Sequence, residues 1–241
     1  MGDVYWRTRG FYDKFLVSYE KLLGELTMTK FDKRSLVDMV YEELREDIIT
    51  LKYPFGSKIN VNELQGKIGV SCTPIREALN RLQQEGLIIY KNKVGAQVLT
   101  IEKHDVEAIQ ELAMTLHCAA IRMSMKRGNH ELMLKELRKQ RDAFAKAKTN
   151  EASVAAVFQL VGVFYHYSGN ERLDHTMISI QGLQLLLRHM YAKAGVRKVE
   201  DLADYDAMIA AIQNDDPDAV CAALQRKTGR ATKVIIDSLH T

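Results

Sequence analysis

The sequence predicts a mainly α-helical chain in two parts: three short helices closed by a small β-hairpin, then longer helices packed as an antiparallel bundle. Three observations carry this. Residues 34–100 hold three amphipathic segments separated by glycine- and proline-marked turns and followed by two short extended pieces. From Ile101 onward apolar residues recur with helical period and no alternating strand pattern appears. Only 3 Pro and 14 Gly are spread through 241 residues, so long stretches run without a helix breaker.

Within residues 1–33, Phe11, Phe15, Tyr19, Leu22, Leu23 and Leu26 recur at helical spacing. This predicts an amphipathic extension that packs on its own protein or on a second copy. Its polar face mixes Asp13, Lys14, Glu20, Lys21 and Glu25, which is not the basic stripe of a membrane-surface helix. The first helix of the next part is expected from Ser35 to Thr50, burying Leu36, Met39, Val40, Leu44 and Ile48. Pro54 and Gly56 make the following segment, Leu51 to Asn60, a loop.

Asn60 is placed to cap the second helix, with Glu63 at capping-box spacing, and Gly69 to end it in the left-handed conformation. Thr73 suits the N-cap of the third helix because residues before proline avoid the helical region, and Pro74 then takes the first helical position. Ile75, Ala78, Leu79 and Leu82 line the inner face of that helix and Gly86 stops it. Residues 87–90 and 96–99 flank Lys91-Asn92-Lys93-Val94-Gly95 as a hairpin. Three helices and a hairpin in this order are the layout of a winged helix-turn-helix. Beyond it, six helices are expected at 103–127, 130–148, 151–167, 171–194, 199–213 and 216–238, joined by short turns. The chain therefore divides into an extension (1–33), a winged helix-turn-helix (34–100) and a helical domain (101–241).

Composition bounds the function classes. Hydrophobic residues make up 46% of the chain, enough for a substantial core. Cys72, Cys118 and Cys221 are odd in number, far apart and without a CxxC pair, which points to a reducing cytoplasm rather than a disulfide framework or zinc knuckle. No segment has the apolar length of a membrane span, and the N-terminus lacks the apolar core of a signal peptide, so a soluble, cytoplasmic protein is expected. The net charge is only +3, and residues 34–100 carry 9 Lys/Arg against 8 Asp/Glu. A role on nucleic acid must then rest on where the basic residues stand.

They stand in the right place. In a helix-turn-helix the start of the second helix enters the major groove. Here that start reads Ser71, Cys72, Thr73, Pro74 and Arg76. Arginine makes bidentate contacts to guanine, and hydroxyls together with a helix N-terminus suit phosphate. Lys91 and Lys93 at the hairpin tip suit the DNA backbone or minor groove. The alternative for Arg76 is a surface contact with Glu77 or Asn80. Cys72, near a helix N-terminus, also raises a redox switch as a possibility.

The stretch Leu64-Gln-Gly-Lys-Ile-Gly-Val-Ser-Cys-Thr-Pro-Ile-Arg-Glu-Ala-Leu-Asn-Arg-Leu-Gln-Gln-Glu-Gly-Leu87 resembles the recognition segment of the GntR family of transcription regulators. The segment Leu51-Lys-Tyr-Pro-Phe-Gly-Ser-Lys-Ile59 resembles its Pro-Gly loop. The helical half, with Phe-Tyr-His-Tyr-Ser-Gly-Asn170 before a long helix, is similar to the FadR-type subfamily and its FCD effector domain. The resemblance implies DNA contacts from Asn62, Ser71, Thr73, Arg76 and Gly95. The chain departs from the family pattern at Cys72 and Val94, where an arginine is usual.

Many FCD domains hold a metal with one Asp and three His. By the same resemblance those four positions fall on Val157, Val161, Tyr205 and Lys227, so no metal and no cofactor are expected. Ala113 stands where an arginine is common and His117 where an acid is common. Ala113, His117, Val157, Val161, Tyr205 and Lys227 are accordingly the candidate effector-binding residues. Two main readings stay open: an apolar cavity for a larger effector held by Tyr205 and an inward-turned Lys227, the lysine suiting a carboxylate or phosphate, or a cavity filled by side chains in a domain that mainly dimerises; small-acid sensing through a metal ranks behind both.

The implied function is a homodimeric regulator that binds pseudo-palindromic operator DNA under control of a small-molecule effector. The alternatives are a helical scaffold with a degenerate DNA-binding domain and no effector, or an enzyme with an appended DNA-binding domain. No Ser-His-Asp order, glycine-rich phosphate loop or metal cluster supports the enzyme.

Overall fold

The computed structural model describes residues 35–239. The amphipathic helix expected within residues 1–33 lies outside the described residues. Helix α1 (Leu36–Ile49) opens with a capping box: the Ser35 hydroxyl accepts from the Asp38 amide, and the Asp38 carboxylate accepts from the Ser35 amide. Its buried face is Val40, Leu44, Ile48 and Ile49. Leu36 and Met39, expected in the core, are 54% and 46% exposed because the first turn of α1 stands clear of it.

Helix α2 (Val61–Ile68) is capped by Asn60, whose side chain accepts from the Asn62 amide. Gly69 ends it with φ 75°, a left-handed conformation that costs glycine little. Helix α3 (Cys72–Gln84) begins two residues earlier than an N-cap at Thr73 predicts. Ser71 is the N-cap and Pro74 is the third helical residue. Proline is tolerated there because the first-turn amides have no intrahelical partner.

Strands β1 (Ile88–Lys91) and β2 (Gly95–Val98) pair antiparallel with Ile88 opposite Val98 and Lys91 opposite Gly95. The segment expected to be only a loop adds to this sheet. Lys58 bridges Gln97, the Ile59 amide donates to the Ala96 carbonyl and the Val98 amide to the Ser57 carbonyl. Gly56, at φ 71°, turns the chain into that register.

The second half holds seven helices rather than six: α4 (Lys103–Lys126), α5 (His130–Lys146), α6 (Asn150–Ser168), α7 (Glu171–Ser179), α8 (Gln181–Gly195), α9 (Lys198–Gln213) and α10 (Pro217–Ser238). The helix expected at 171–194 breaks at Ile180, which has φ −112° and ψ 3°. Apolar periodicity continues across this point without proline, and Gly182, two residues on, sits inside the next helix rather than at the break, so the sequence pattern does not mark it. Helix α6 is buried on nearly all sides, from Val154 to Phe158 and from Leu160 to Tyr165, and forms the centre of the bundle.

The break at Ile180 starts α8 against the winged unit. Gly182 is buried, and a Cβ there would stand 2.6 Å from Glu85 Oε2 and 3.1 Å from Leu87 Cδ1. Glu85 Oε2 in turn accepts a 2.9 Å hydrogen bond from Arg45 Nε, joining the end of α3 to α1. One apolar cluster runs through this contact, from Leu44, Ile75 and Leu82 to Phe158, Leu186 and Ile235. The winged unit thus shares a core with the bundle. Gly182→Val is expected to lower stability by about 1–3 kcal/mol through overpacking. Calorimetry should show this as a fall in Tm; an unchanged Tm would contradict the close approach.

Candidate nucleic-acid interface and effector cavity

Helix α3 divides its residues sharply. Ile75, Ala78, Leu79 and Leu82 are completely buried, whereas Ser71, Thr73, Arg76, Glu77 and Asn80 are exposed. Ser71 holds the N-cap backbone position, but its side chain makes no capping hydrogen bond. The first-turn amides of α3 and the Ser71 hydroxyl are therefore left for an external acceptor such as a phosphate oxygen. Among the described residues Arg76 makes no ion pair, so the alternative pairing with Glu77 is not formed. Arg81, one turn further on, is used internally: its Nη1 lies 2.7 Å from Asp38 Oδ1 and its guanidinium lies 4.2 Å over the Tyr41 ring.

Lys91, Lys93 and Gly95 are exposed at the hairpin tip, where Lys93 has φ 65° and the Val94 amide donates to the Lys91 carbonyl. Asn62 is exposed on α2. Tyr90 is a residue the sequence reading missed. Burial pushes its phenol above the ordinary value and the Arg76 guanidinium pulls it back, so strand β1 and the start of α3 share one face. Its half-exposed position in a strand ending on lysine was the available signal. Cys72, where the family pattern has arginine, donates from Sγ to Gln65 Oε1 at 3.0 Å and ties α3 to α2.

The bundle encloses a cavity of about 30 Å³. His117 borders it from α4, Val157 and Val161 from α6, Gln184, Arg188 and Tyr191 from α8, and Leu224, Lys227 and Thr228 from α10. A second cavity of about 10 Å³ adjoins it and shares Val157, Arg188, Tyr191 and Lys227. Of the six candidate effector residues, His117, Val157, Val161 and Lys227 meet here. Ala113 and Tyr205 do not border either cavity. Ala113 is buried in α4, and Tyr205 is buried with its ring edge-on to Phe144 at 5.3 Å. Gln184, Arg188 and Tyr191 were missed, although their spacing along one helix places them on a common face.

Two cations reach this space and no carboxylate does. Lys227 is 7% exposed, and its ammonium lies 5.3 Å over the Tyr191 ring. Burial pulls it down to about 8; Asp201 and Asp204 act against that pull, while Arg188 and Arg230 add to it. Those two aspartates are already engaged. Arg230 Nη2 reaches Asp201 Oδ1 at 2.7 Å and Asp204 Oδ2 at 2.6 Å. Arg226 Nε donates to Asp204 Oδ1, and the Tyr191 hydroxyl donates to Asp201 Oδ2 at 3.0 Å. His117 is completely buried, and burial holds it neutral, down to about 3. Its Nδ1 is 2.8 Å from the Tyr165 hydroxyl.

The residues at the family's metal positions do not fit a metal. Val157 and Val161 carry no donor atom, Tyr205 lies away from the cavity, and Lys227 brings positive charge. A divalent ion here would lie between Lys227 and Arg188 with no anionic ligand to offset the repulsion. Among the described residues, no group of three or more His, Cys, Asp or Glu could hold a metal ion. No helix among them is long and apolar enough to cross a membrane.

Comparison with known proteins agrees with this architecture. The family model for bacterial regulatory proteins of the gntR family matches residues 36–98, and that for the FCD domain matches residues 75–228. An HTH-type transcriptional regulator from the TAR-I ttuE-ttuC' intergenic region of Agrobacterium vitis is 32% identical over 104 residues, 43% of this chain and 61% of that protein. YdhC, an HTH-type transcriptional regulator of Bacillus subtilis, is 26% identical over 147 residues, 59% of this chain and 65% of its own. The matches thus span under two thirds of the length of these relatives. The fold is shared with a GntR regulator of Rhodococcus sp. RHA1 (TM-score 0.68, 17% identity, 85% of this chain and 99% of that one). It is shared also with McbR/YncC of E. coli (TM-score 0.64, 17% identity, 86% of this chain and 99% of that one). With both the winged segment and the helical domain matched, the chain belongs to the gntR family of bacterial regulatory proteins and is an FCD-type member of it.

Proposed function

We propose that this protein is a sequence-specific, DNA-binding transcription regulator whose operator affinity is set by a small molecule bound in the helical domain. The observation that carries the reading is the exposed start of α3. Uncapped Ser71, Thr73 and unpaired Arg76 protrude together, flanked by Tyr90 and the Lys91–Lys93 hairpin tip. Arg76 is assigned to a base edge, Ser71 and Thr73 to phosphate, and Asn62, Lys91, Lys93 and the Gly95 backbone to flanking backbone or groove contacts. Residues 34–100 act as the DNA-binding unit and 101–241 as the sensing and dimerisation unit.

Two copies are needed to read a pseudo-palindrome. Helix α4 supports a self-association face: Leu112 and Met123 are 47% and 38% exposed, and Leu116 and Ala119 between them are half-buried. These four recur at helical spacing, an apolar stripe facing outward. The cavity bordered by His117, Val157, Val161 and Lys227 is the effector site.

Selection of binding sites from random duplexes is expected to enrich a two-fold-symmetric site; a protein that only scaffolds other proteins enriches none. Arg76→Ala should weaken binding to that site by about 1–3 kcal/mol and relax preference at one base position. Lys93→Ala should weaken binding to all sequences alike and flatten the salt dependence by about one unit of slope. Equal affinity of wild type and Arg76→Ala for the selected site would remove the assignment of α3 as the reading helix. Leu112→Glu should shift the protein toward monomer in analytical ultracentrifugation, and an unaltered distribution would place the dimer contact elsewhere.

A further inference from the structure

The helical domain buries a lysine with nothing to neutralise it. Lys227 is more than nine-tenths buried, borders both adjoining cavities and, among the described residues, has no hydrogen-bond or ion-pair partner. Its ammonium lies 5.3 Å over the face of Tyr191, and that ring is fixed in place. The Tyr191 hydroxyl donates to Asp201 and accepts from the Arg197 amide at 2.9 Å. The nearest carboxylates, Asp201 and Asp204, are bound by Arg230 and Arg226. Arg188 adds a second guanidinium to the same lining, with its charge 5.5 Å over Phe158. Buried charge is retained only when something compensates it, and here the protein supplies no anion to the space.

We infer that the effector is a small oxyanion, bound directly by Lys227 and Arg188 in place of the metal ion that the family pattern would put at this position. The inference rests on the reading of this cavity as the effector site. The site has further donors. His117 is neutral, and in the tautomer that accepts from Tyr165 at Nδ1 its Nε2 carries a proton for an oxyanion. Thr228 contributes a hydroxyl from the turn of α10 that carries Lys227. Val157 and Val161, useless to a metal, provide an apolar wall for a short alkyl group. At about 30 Å³ the space matches a carboxylate or phosphate head rather than a long chain.

The charge on Lys227 also gives the site a pH limit. The groups around it are Arg188 and Tyr191 on α8, Asp201 and Asp204 on α9, Arg230 on α10 and His117 on α4. Of these, His117 stays neutral at ordinary pH, and the arginines and aspartates are held in ion pairs or against aromatic faces. Lys227 itself loses its proton near pH 8, so anion binding fades above that. The unliganded fold behaves in the opposite sense. From about pH 8 to 10 the unfolded chain holds a lysine proton that the native state has released, so this residue's destabilising effect is relieved as pH rises.

The test uses the full chain with acetate, propionate and inorganic phosphate as separate probes against chloride at equal ionic strength. Thermal shift and calorimetry should show that at least one probe binds wild type at pH 7, that EDTA leaves binding unchanged, and that binding weakens about tenfold or more by pH 9.5. Acetate or propionate acting alone identifies a carboxylate ligand; phosphate acting alone identifies a phosphate. Lys227→Met should weaken the probe about tenfold or more while raising the ligand-free Tm, because it removes an uncompensated buried charge. Lys227→Arg should retain binding. Should Lys227→Met fail to fold, the Cε resonance of Lys227 in wild type gives the same answer, since a bound anion moves its titration midpoint upward. Equal binding by wild type and Lys227→Met, binding abolished by EDTA, or no response to any probe would overturn the inference. Operator affinity, followed in parallel, separates the two levels. Anion binding that leaves operator affinity unchanged keeps the anion site and removes the regulatory reading. Operator release by a neutral ligand that also works on Lys227→Met keeps the regulatory reading and removes the anion site.

Discussion

The packing of the Gly182 backbone against the side chains of Glu85 and Leu87 organises much of this molecule. It brings the first turn of α8 against Glu85 and Leu87, at the point where α3 hands over to the hairpin. The same helix, one and two turns later, presents Gln184, Arg188 and Tyr191 to the cavity. A single helix therefore borders both the cavity and the base of the winged unit. A side chain at position 182 would wedge these units apart. The one-residue interruption at Ile180 serves the same end by freeing the start of α8 from the line of α7.

The winged unit spends its apolar residues on fixing α3 rather than on covering it. Burial of Ile75, Ala78, Leu79 and Leu82 holds the helix from one side, and the Arg81–Asp38 pair and the Arg45–Glu85 bond pin it to α1. The opposite face and the N-terminal turn are left polar and open. Cys72 is consistent with this division: its thiol braces α3 against α2 through Gln65. Such local fixing limits the conformational entropy lost when DNA binds.

In the bundle, electrostatics decides what the cavity can be. Asp201 and Asp204 are nearly inaccessible, but Arg230, Arg226 and Tyr191 use their oxygens, and the negative charge is spent there. Lys227, three residues before Arg230 on the same helix, borders the cavity together with the valines of α6. The arginines that bind Asp201 and Asp204 thus leave Lys227 without a carboxylate partner among the described residues.

The sequence by itself determined the winged unit's helices and hairpin, the helical nature of the second half and the motif at the start of α3. Each depends on local chemistry: a cap at Asn60, left-handed glycine at Gly69, apolar period along α3, and a contiguous motif from Val70 to Leu79. It also determined that the family's metal positions hold Val157, Val161, Tyr205 and Lys227. Only the tertiary structure decided which of these share a space. Tyr205 turned into the core against Phe144, Ala113 stayed buried away from the cavity, and Arg188 and Gln184 came in from a helix the sequence pattern had fused with its neighbour. The break at Ile180, the exposure of Leu36 and Met39 and the ion pairs that consume Asp201 and Asp204 follow from packing between segments distant in sequence. Periodicity along a single segment carries no information about such partners.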